Sequence, residues 1–286
     1  MCGVLARVDP GAFCPRDVAT LLRGPAVIDI HTHLLPGVDD GSPNVDHSAM
    51  VIARLHAEGV RGIVCTPHLN ASRAGEAPFA EHAALLANQR ELVPEGLDLH
   101  SGFEIMLDTG NFDLSDPRLG LAQSKARLVE FPRRGLPPQA TEQLMRVRSQ
   151  GLVPVVAHPE RYQGCDVEMI QTWRELGAVI QCDVMALLGG GPMTEFARAM
   201  LGAGLVDILA SDNHGDRRSL AIAVMWLGEL GADAQCRMLT TENPGLLLGG
   251  TRPRPVPPVS FQKGMFGRLK ELIFGSSSRK PVDELQ

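Results

Sequence analysis

The segment Ile28-Asp29-Ile30-His31-Thr32-His33 combines a short apolar strand with two potential metal ligands. Side chains alternate between the two faces of a strand, so Asp29, His31 and His33 point one way and the isoleucines point the other way. Imidazole nitrogens bind divalent transition metals, and a rigid strand lowers the entropy cost of bringing two of them together. The segment therefore predicts one half of a metal site at the end of a strand.

Short β-branched and aliphatic runs recur along the chain and alternate with segments of helical spacing. The strand-like runs are 26–31, 62–66, 97–105, 126–131, 153–158, 178–184 and 206–210. The clearest helical segment is 46–58, which has apolar residues on one side and is stopped by Gly59. Alternating strands and helices imply parallel pairing with right-handed crossovers. The pattern predicts an α/β fold, a distorted (β/α)7 TIM-like barrel, in preference to an open sheet.

Composition excludes several functional classes. The 286 residues are 44% hydrophobic, which is enough for a core, and no apolar stretch is long enough to cross a bilayer. The net charge is −6 and no Lys/Arg cluster stands out in the main body, which argues against nucleic acid as a partner. Residues 1–25 contain no continuous apolar region, so no secretory signal is predicted. The six cysteines form no Cys-x-x-Cys pair, which is typical of buried thiols in a reducing cytoplasm.

The sequence divides into three parts. Residues 1–25 are predicted to be a poorly ordered extension, 26–250 the barrel, and 251–286 a linker and tail. The proline-rich stretch 252–258 predicts a stiff, extended linker. Beyond it, apolar residues from Phe266 to Ile273 have the spacing of a short amphipathic helix, which could dock on a membrane surface or a partner. A frayed tail is the alternative that the composition favours.

Polar side chains of ligand type stand at nearly every predicted strand end. In a parallel barrel all these ends emerge on the same face, where active sites are built. Nine candidates are too many for one ion and suit two or three ions with shared carboxylates. Asp39 and Asp40 are adjacent and face different ways, so only one of the two is expected to bind metal. The nine candidates are His31, His33, Asp40, His68, Glu104, Glu130, His158, Asp212 and His214.

The types of ligand and a nearby arginine limit the reactions that this site could catalyse. Mixed imidazole and carboxylate donors without thiolate favour Mn, Fe or Zn in a reactive site over a structural zinc. Arg161, three residues after His158, could hold phosphate oxygens with its two-pronged guanidinium. No cysteine has an arginine six residues later, and no serine-elbow, Walker or Rossmann motif is present. These observations predict metal-dependent phosphoryl chemistry.

The motifs together resemble those of a known family. Val38-Asp39-Asp40-Gly41, Thr66-Pro67-His68, His158-Pro159-Glu160-Arg161-Tyr162 and Ser211-Asp212-Asn213-His214 follow the opening strand in the order and spacing of the PHP superfamily. More narrowly, they are similar to the bacterial CpsB/YwqE-type protein-tyrosine phosphatases of capsule and exopolysaccharide systems. The resemblance covers roughly residues 26–250.

The resemblance implies a ligand set for three ions, usually manganese, with iron or zinc as alternatives. One ion would be held by His31, His33, Glu104 and Asp212; a second by Glu104, Glu130 and His158; the third by Asp40, His68 and His214. A phosphate-binding arginine falls on Arg161. A second arginine follows the last histidine in the family, and here both Arg217 and Arg218 lie close, so that assignment stays open.

The resemblance also implies a substrate and a location. The substrate would be a phosphotyrosine protein, a bacterial tyrosine autokinase that controls polysaccharide synthesis. The enzyme would be cytoplasmic, with peripheral placement at the inner membrane face through that kinase as a further expectation. Two departures are Gly215, where the family commonly has Asn, and the 25 preceding residues, which suggest that translation starts at Val27.

Three alternatives share some of these features. A phosphatase of a small phosphomonoester, such as histidinol phosphate, would keep the metals and change the substrate. An amidohydrolase also opens with His-x-His and closes with Asp on a barrel, but it normally has a bridging lysine where Glu104 and Glu130 stand here. A metal-filled binding module would show bound metal and no hydrolysis.

Overall fold

The computed structural model describes residues 26–133 and 135–261, which form a mixed α/β fold with parallel strands. The strands are β1 (Val27–Thr32), β2 (Val60–Cys65), β3 (His68–Asn70), β4 (Asp98–Ser101), β5 (Glu104–Met106), β6 (Ala126–Glu130), β7 (Val153–Val156), β8 (Val179–Asp183) and β9 (Ile208–Ala210). Every predicted strand is found at its place in the sequence. The predicted extension 1–25 and the predicted helix near 266–273 lie outside the described residues.

Two strands in the described part of the chain are interrupted. One sheet has the order β1-β2-β4 and the other the order β3-β5-β6-β7-β8-β9. Strand β3 follows β2 after Thr66 and Pro67, and β5 follows β4 after Gly102 and Phe103. Backbone hydrogen bonds continue across both interruptions: the amide of Gly102 donates to Cys65 O at 2.9 Å, and the amide of Glu104 donates to Pro67 O at 3.1 Å. The interruptions therefore bring His68 and Glu104 to the start of a new strand segment.

The first and last strands approach each other at their carboxyl ends. Thr32 and Asn213 form an isolated parallel bridge, and the amide of His33 donates to Asn213 O at 2.7 Å. The amide of Ser211 also donates to the buried carboxylate of Asp29, at 3.2 Å. These bonds hold the His-x-His segment beside the loop that carries Asp212.

Helices connect the strands. They are α1 (Val45–Ala57), α2 (Phe79–Arg90), α3 (Ala140–Ser149), α4 (Val167–Glu175), α5 (Val184–Leu188), α6 (Pro192–Gly202), α7 (Leu220–Glu229), α8 (Asp233–Arg237) and α9 (Asn243–Leu248). The predicted helix at 46–58 is confirmed. Its first turn is capped by the Asn44 side chain, which accepts from His47 N at 2.9 Å. Gly59 follows the helix with φ +101°, a conformation that glycine adopts without strain.

Helix α2 has a weaker sequence pattern than α1, although His82 is expected to lie in a helix. Its buried residues are His82, Leu86 and Gln89, so only one of the three is aliphatic. A pattern search that relies on apolar residues at helical spacing has little to detect here. This helix is therefore stabilised by its packing against the sheet and has no clear amphipathic pattern in the sequence.

The largest buried side chain outside the strands is Trp173 of α4. It is completely buried, its indole Nε1 donates to Thr141 Oγ1 at 3.0 Å, and its ring lies 5.8 Å from that of Phe131. We expect Trp173→Ala to lower the free energy of unfolding by about 3–5 kcal/mol, because the cavity it leaves is lined by rigid neighbours. Urea denaturation measures this loss. Trp173→Phe, which keeps most of the volume, should cost clearly less, and equal losses would contradict the packing argument.

Residues 251–261, predicted as part of an extended linker, lie against the domain. Val256 and Val259 are both only 3% exposed. The Asn243 amide group brackets Arg254, since its Nδ2 donates to Arg254 O at 2.9 Å and its Oδ1 accepts from Arg254 N at 2.8 Å. Phe261 stacks on Trp226 with ring centroids 5.8 Å apart. The segment is thus extended, as its prolines dictate, and packed on the surface. None of the helices in the described part of the chain has the length and apolarity needed to cross a membrane.

Candidate metal centre

All nine predicted ligand residues lie together at the carboxyl ends of the parallel strands. His31 and His33 come from the end of β1, and Asp40 comes from the turn that follows it. The others stand at the start of β3 or β5, at the end of β6, or within four residues after β7 or β9, and they are His68, Glu104, Glu130, His158, Asp212 and His214. The strand register therefore gathers donors that are up to 183 positions apart in the sequence.

The most buried group of donors is His31, His33, Glu104 and Asp212. Their ligand atoms all lie within 4.8 Å of one another. His31 Nε2 is 3.3 Å from Glu104 Oε2 and 3.2 Å from Asp212 Oδ1, and His33 Nε2 is 3.3 Å from each of the same two oxygens. Two imidazoles and two carboxylates thus face a common point, as the resemblance predicts for the first ion.

A second group lies nearer the solvent and contains His33, Asp40, His68 and His214. Asp40 Oδ1 is 3.5 Å from His68 Nε2 and 3.4 Å from His214 Nε2. The ring of His33 stacks on that of His214 with centroids 4.0 Å apart. The predicted third set is found together here, with His33 as an additional member.

The third group contains His68, Glu104 and Glu130. His68 Nδ1 is 3.1 Å from Glu104 Oε2 and 3.4 Å from Glu130 Oε1. His158, predicted for this set, contacts the other oxygen of the shared carboxylate, with Nε2 2.7 Å from Glu104 Oε1. Glu104 is accordingly the central carboxylate of the cluster, with an oxygen directed to each side.

The donors are suited to divalent cations. Although burial alone would raise the pKa of Asp212, the charges of His31 and Arg161 hold that pKa well below its usual range. The pKa of His68 is raised to about 10 by its hydrogen bonds to Glu104 and Glu130. Only a neutral imidazole binds a metal, so a divalent ion at this site would displace the proton that the raised pKa keeps on His68. Imidazole nitrogen and carboxylate oxygen donors match Mn, Fe or Zn. The two nearest thiols do not compete, because burial raises the pKa of Cys65 to about 12 and that of Cys182 well above its usual value.

Two candidate ligands have left-handed backbone conformations. His158 has φ +32° and Asp212 has φ +47°, values that few residues other than glycine adopt. Each lies directly after the end of a strand, where the chain turns. Such strain persists only where the surrounding structure enforces it, and here it directs both side chains into the cluster.

Two supporting residues orient the histidines. Asp39 Oδ2 accepts from His33 Nδ1 at 2.7 Å, and this division of roles agrees with the prediction that Asp39 and Asp40 face different ways. Gln181 Oε1 is 3.1 Å from His31 Nδ1 and 3.3 Å from the amide nitrogen of His158, so one side chain ties two ligands together. Hydrogen bonds of this kind fix the tautomer and the orientation of ligand imidazoles.

Sequence reasoning missed Gln181 and Asp183, which both lie in strand β8. A signal was present, since residues two apart on a strand face the same way, as His31 and His33 do. The strand is otherwise apolar and ends in Asp183, a polar residue at a carboxyl end. The run 178–184 is predicted only as a strand, with no site residue assigned to it.

Arg161 lies beside the most buried group of donors. Its Nη2 is 2.6 Å from Asp212 Oδ2 and also contacts the Asp183 carboxylate. The neighbouring Glu160 points elsewhere, and its Oε1 accepts from the amide of Asp183 at 2.8 Å. Burial raises the pKa of Glu160 to about 8. The guanidinium is thus held between two carboxylates at the edge of the cluster.

The loop after His214 distinguishes the two other arginines. Arg218 is partly buried, and its guanidinium lies 3.4 Å from Asp212 Oδ2 and 2.8 Å from Asp216 Oδ2. Arg217 is exposed on the surface. Gly215 has φ +78°, and its carbonyl accepts from His47 Nε2 at 2.6 Å, so α1 anchors the loop at this point. The geometry places Arg218, and not Arg217, against the cluster.

Comparison with known proteins places the chain among its relatives. It is 30% identical over 253 residues to the tyrosine-protein phosphatase YwqE of Bacillus subtilis, covering 84% of this chain and 99% of that protein. It is 29% identical over 204 residues to the tyrosine-protein phosphatase CpsB of Streptococcus pneumoniae, covering 66% and 83%.

Solved structures agree with these sequence relatives. A crystal structure from work on YwqE of Bacillus subtilis and CpsB of Streptococcus pneumoniae, described as unique metal-dependent tyrosine phosphatases, matches with a TM-score of 0.67 and 27% identity, covering 82% of this chain and all of that one. The phosphotriesterase of Mycobacterium tuberculosis shares the fold at a TM-score of 0.51 and 13% identity, covering 81% and 95%. The family described as capsular polysaccharide synthesis, CpsB/CapC, matches residues 27–248, and the chain belongs to this family.

Proposed function

We propose that the protein is a metal-dependent protein-tyrosine phosphatase, a phosphoric monoester hydrolase that acts on phosphotyrosine in proteins of capsule or exopolysaccharide synthesis. The observation that carries the proposal is the buried cluster of histidines and carboxylates with Arg161 at its edge. The names of the relatives supply the substrate class.

The cluster would hold two or three divalent ions, with manganese as the first choice and iron or zinc as alternatives. Two of its three groups of donors share Glu104, whose carboxylate can bridge two closely spaced ions, whereas each nitrogen of His33 or His68 can bind only one ion. Bound ions supply a water acidified towards neutrality and stabilise negative charge on phosphate oxygens. Eight of the nine predicted ligand residues belong to these groups, and the ninth, His158, contacts Glu104 Oε1.

The arginines would bind the phosphate group. Arg161 presents its guanidinium at the rim of the cluster, and such a group can hold two phosphate oxygens at once. Asp183 helps to keep the guanidinium in position, since Nη2 of Arg161 contacts the carboxylates of both Asp183 and Asp212. The leaving group is a phenol with a pKa of about 10, so its departure needs less help from a proton donor than an alkyl phosphate would.

The architecture that supports this site would be a distorted barrel of seven βα units, spanning residues 26–250. Support comes from the bridge between Thr32 and Asn213, which links the first and last strand positions. Residues 1–25 would be an extension and 251–286 a linker and tail.

The natural substrate would be a tyrosine autokinase, which would draw a cytoplasmic enzyme to the inner membrane face. We do not propose nucleic acid as a partner. Pull-down with a phosphorylated autokinase tail, compared with its unphosphorylated form, tests the association.

The decisive experiment compares two substrates and several metals. Protein stripped of metal is reloaded with Mn, Fe, Zn or Mg, its metal content is measured by elemental analysis, and hydrolysis of a phosphotyrosyl peptide and of histidinol phosphate is followed. We expect faster hydrolysis of the peptide and activity in proportion to bound metal. Preference for histidinol phosphate would favour a small-molecule phosphatase, and bound metal without hydrolysis would indicate a binding module.

A comparison of Arg217→Gln with Arg218→Gln tests the assignment in the last loop. We expect Arg218→Gln to lower kcat/KM on a phosphotyrosyl peptide by about tenfold or more, because charge-assisted hydrogen bonds contribute about 1.5–3 kcal/mol. Arg217→Gln removes the same charge one position away, where the side chain is exposed, and should stay within about twofold of the wild type. A larger loss in Arg217→Gln than in Arg218→Gln would reverse the assignment.

A further inference from the structure

A second cavity lies at the opposite end of the strands from the metal centre. It has a volume of about 240 Å³ and lies where β6, β7 and β8 begin. Ala126, at its wall, is the first residue of β6, whereas Glu130 of the metal cluster is the last. Four residue steps along a strand separate the two ends by about 13 Å. The cavity is therefore distinct from the site described above.

Three cationic side chains from three different elements line this cavity. Lys125 precedes β6, Arg148 lies in the last turn of α3, and Arg252 follows α9. Apolar groups of Ala126, Val153 and Leu247 form the remaining wall. Among the described residues that line it there is no carboxylate. The cavity thus combines a positive rim with an apolar interior.

The position of Arg148 depends on a close approach of the backbone. A Cβ atom at Gly177 would lie 3.0 Å from Arg148 Nε, and Gly177 has φ +92°, so glycine suits this position on both counts. Arg148 Nη1 donates to Leu152 O at 3.0 Å, which fixes the guanidinium with one of its five N–H donors. The guanidinium is consequently held at the cavity by the main chain around it.

A buried acid beside the cavity, Asp207, interacts with the charge of Arg252 but is paired directly with another arginine. Asp207 lies in an adjacent depression that Arg252 also lines. Its carboxylate is engaged by Arg174, with Nη2 2.8 Å from Oδ1 and Nε 3.3 Å from Oδ2, and its Oδ2 accepts from Ile180 N at 2.9 Å. The charge of Asp207 is therefore already matched by a different arginine.

We propose that this cavity is a second anion site, which binds a phosphate ester carrying an apolar group. Guanidinium and ammonium groups bind phosphate oxygens through charge-assisted hydrogen bonds, and the apolar wall receives the rest of the molecule. The phosphate can belong to a soluble ester or to a lipid headgroup. Binding of either ligand would not involve the metal centre, so this proposal is independent of the proposed catalytic activity.

The test uses dibutyl phosphate, a soluble phosphodiester with apolar chains that a phosphomonoesterase does not hydrolyse. Calorimetric titration of the full metal-loaded chain should give a dissociation constant on the order of 1 mM, as expected for a ligand of this size. Arg148→Gln/Arg252→Gln should weaken binding at least tenfold. Arg73→Gln/Arg237→Gln removes two exposed charges elsewhere and should leave binding unchanged. Hydrolysis of a phosphotyrosyl peptide should be the same in all three proteins.

A second arm distinguishes the sources of the phosphate. Sedimentation with phosphatidylglycerol vesicles, against phosphatidylcholine vesicles, measures binding to a lipid headgroup. Loss of vesicle binding in Arg148→Gln/Arg252→Gln, with normal binding in Arg73→Gln/Arg237→Gln, would support the site with a lipid as its ligand. Equal binding of both probes by all variants, or no binding of either probe to the wild type, would overturn the proposal.

Discussion

Replacing Asp212 with Asn should lower kcat on a phosphotyrosyl peptide by about 10³-fold or more and reduce the bound metal. Removal of one charge-stabilising group at an active site commonly lowers kcat by ~10²–10³-fold, and Asp212 is also a candidate metal ligand. Asp212 is 1% exposed and its Oδ1 faces both His31 and His33. The amide keeps the size of the side chain and removes the anionic charge. Single-turnover hydrolysis and elemental analysis of the same sample measure the two effects.

Asn is chosen because it should allow the variant to fold normally. Asp212 has φ +47°, and Asn tolerates the left-handed region better than most residues, including the Ala of a routine scan. Asp233→Asn, at the exposed start of α8, is the matched control and should leave activity and metal content unchanged. His158→Asn, at the other candidate ligand with a positive φ, should behave as Asp212→Asn does. Full activity in a variant that has lost its metal would refute the metal-dependent mechanism.

Replacing Arg161 with Gln should lower kcat by about 10²–10³-fold and leave the bound metal unchanged, because the guanidinium contributes charge to the transition state and no ligand atom. Its position beside Asp212 and Asp183 shows that it is held at the rim of the cluster. Activity and metal content, measured together, therefore separate the role of Arg161 from that of Asp212.

Arg161→Lys provides the matched comparison. Lysine keeps the positive charge and loses the planar fork that binds two oxygens together, so it should restore only part of the activity. Full restoration would indicate that charge alone matters. A drop in bound metal in Arg161→Gln would show instead that the arginine maintains the donor cluster.

The alternation of strands and helices was predictable because buried parallel strands are short apolar runs with distinct stops. Each of the seven runs contains a strand, and α1 lies within one residue of the predicted 46–58 and ends before Gly59. A helix around His82 was expected, but the buried face of α2 was not predictable, because it contains His82 and Gln89 in place of aliphatic side chains. The surface packing of 251–261 was also hidden, since prolines dictate an extended backbone and not what it lies against.

The sequence by itself determined which residues are potential ligands, because parallel strands expose their carboxyl ends on one face whatever their exact register. Only the tertiary structure decided how these ligands group, because grouping depends on distances between strands remote in sequence. It showed that Glu104 lies at the centre of the cluster, that Gln181 joins His31 to His158, and that Arg218 faces Asp212 while Arg217 faces solvent. The sequence does not distinguish two neighbouring arginines of one loop, because only the backbone conformation decides which side chain points at the cluster.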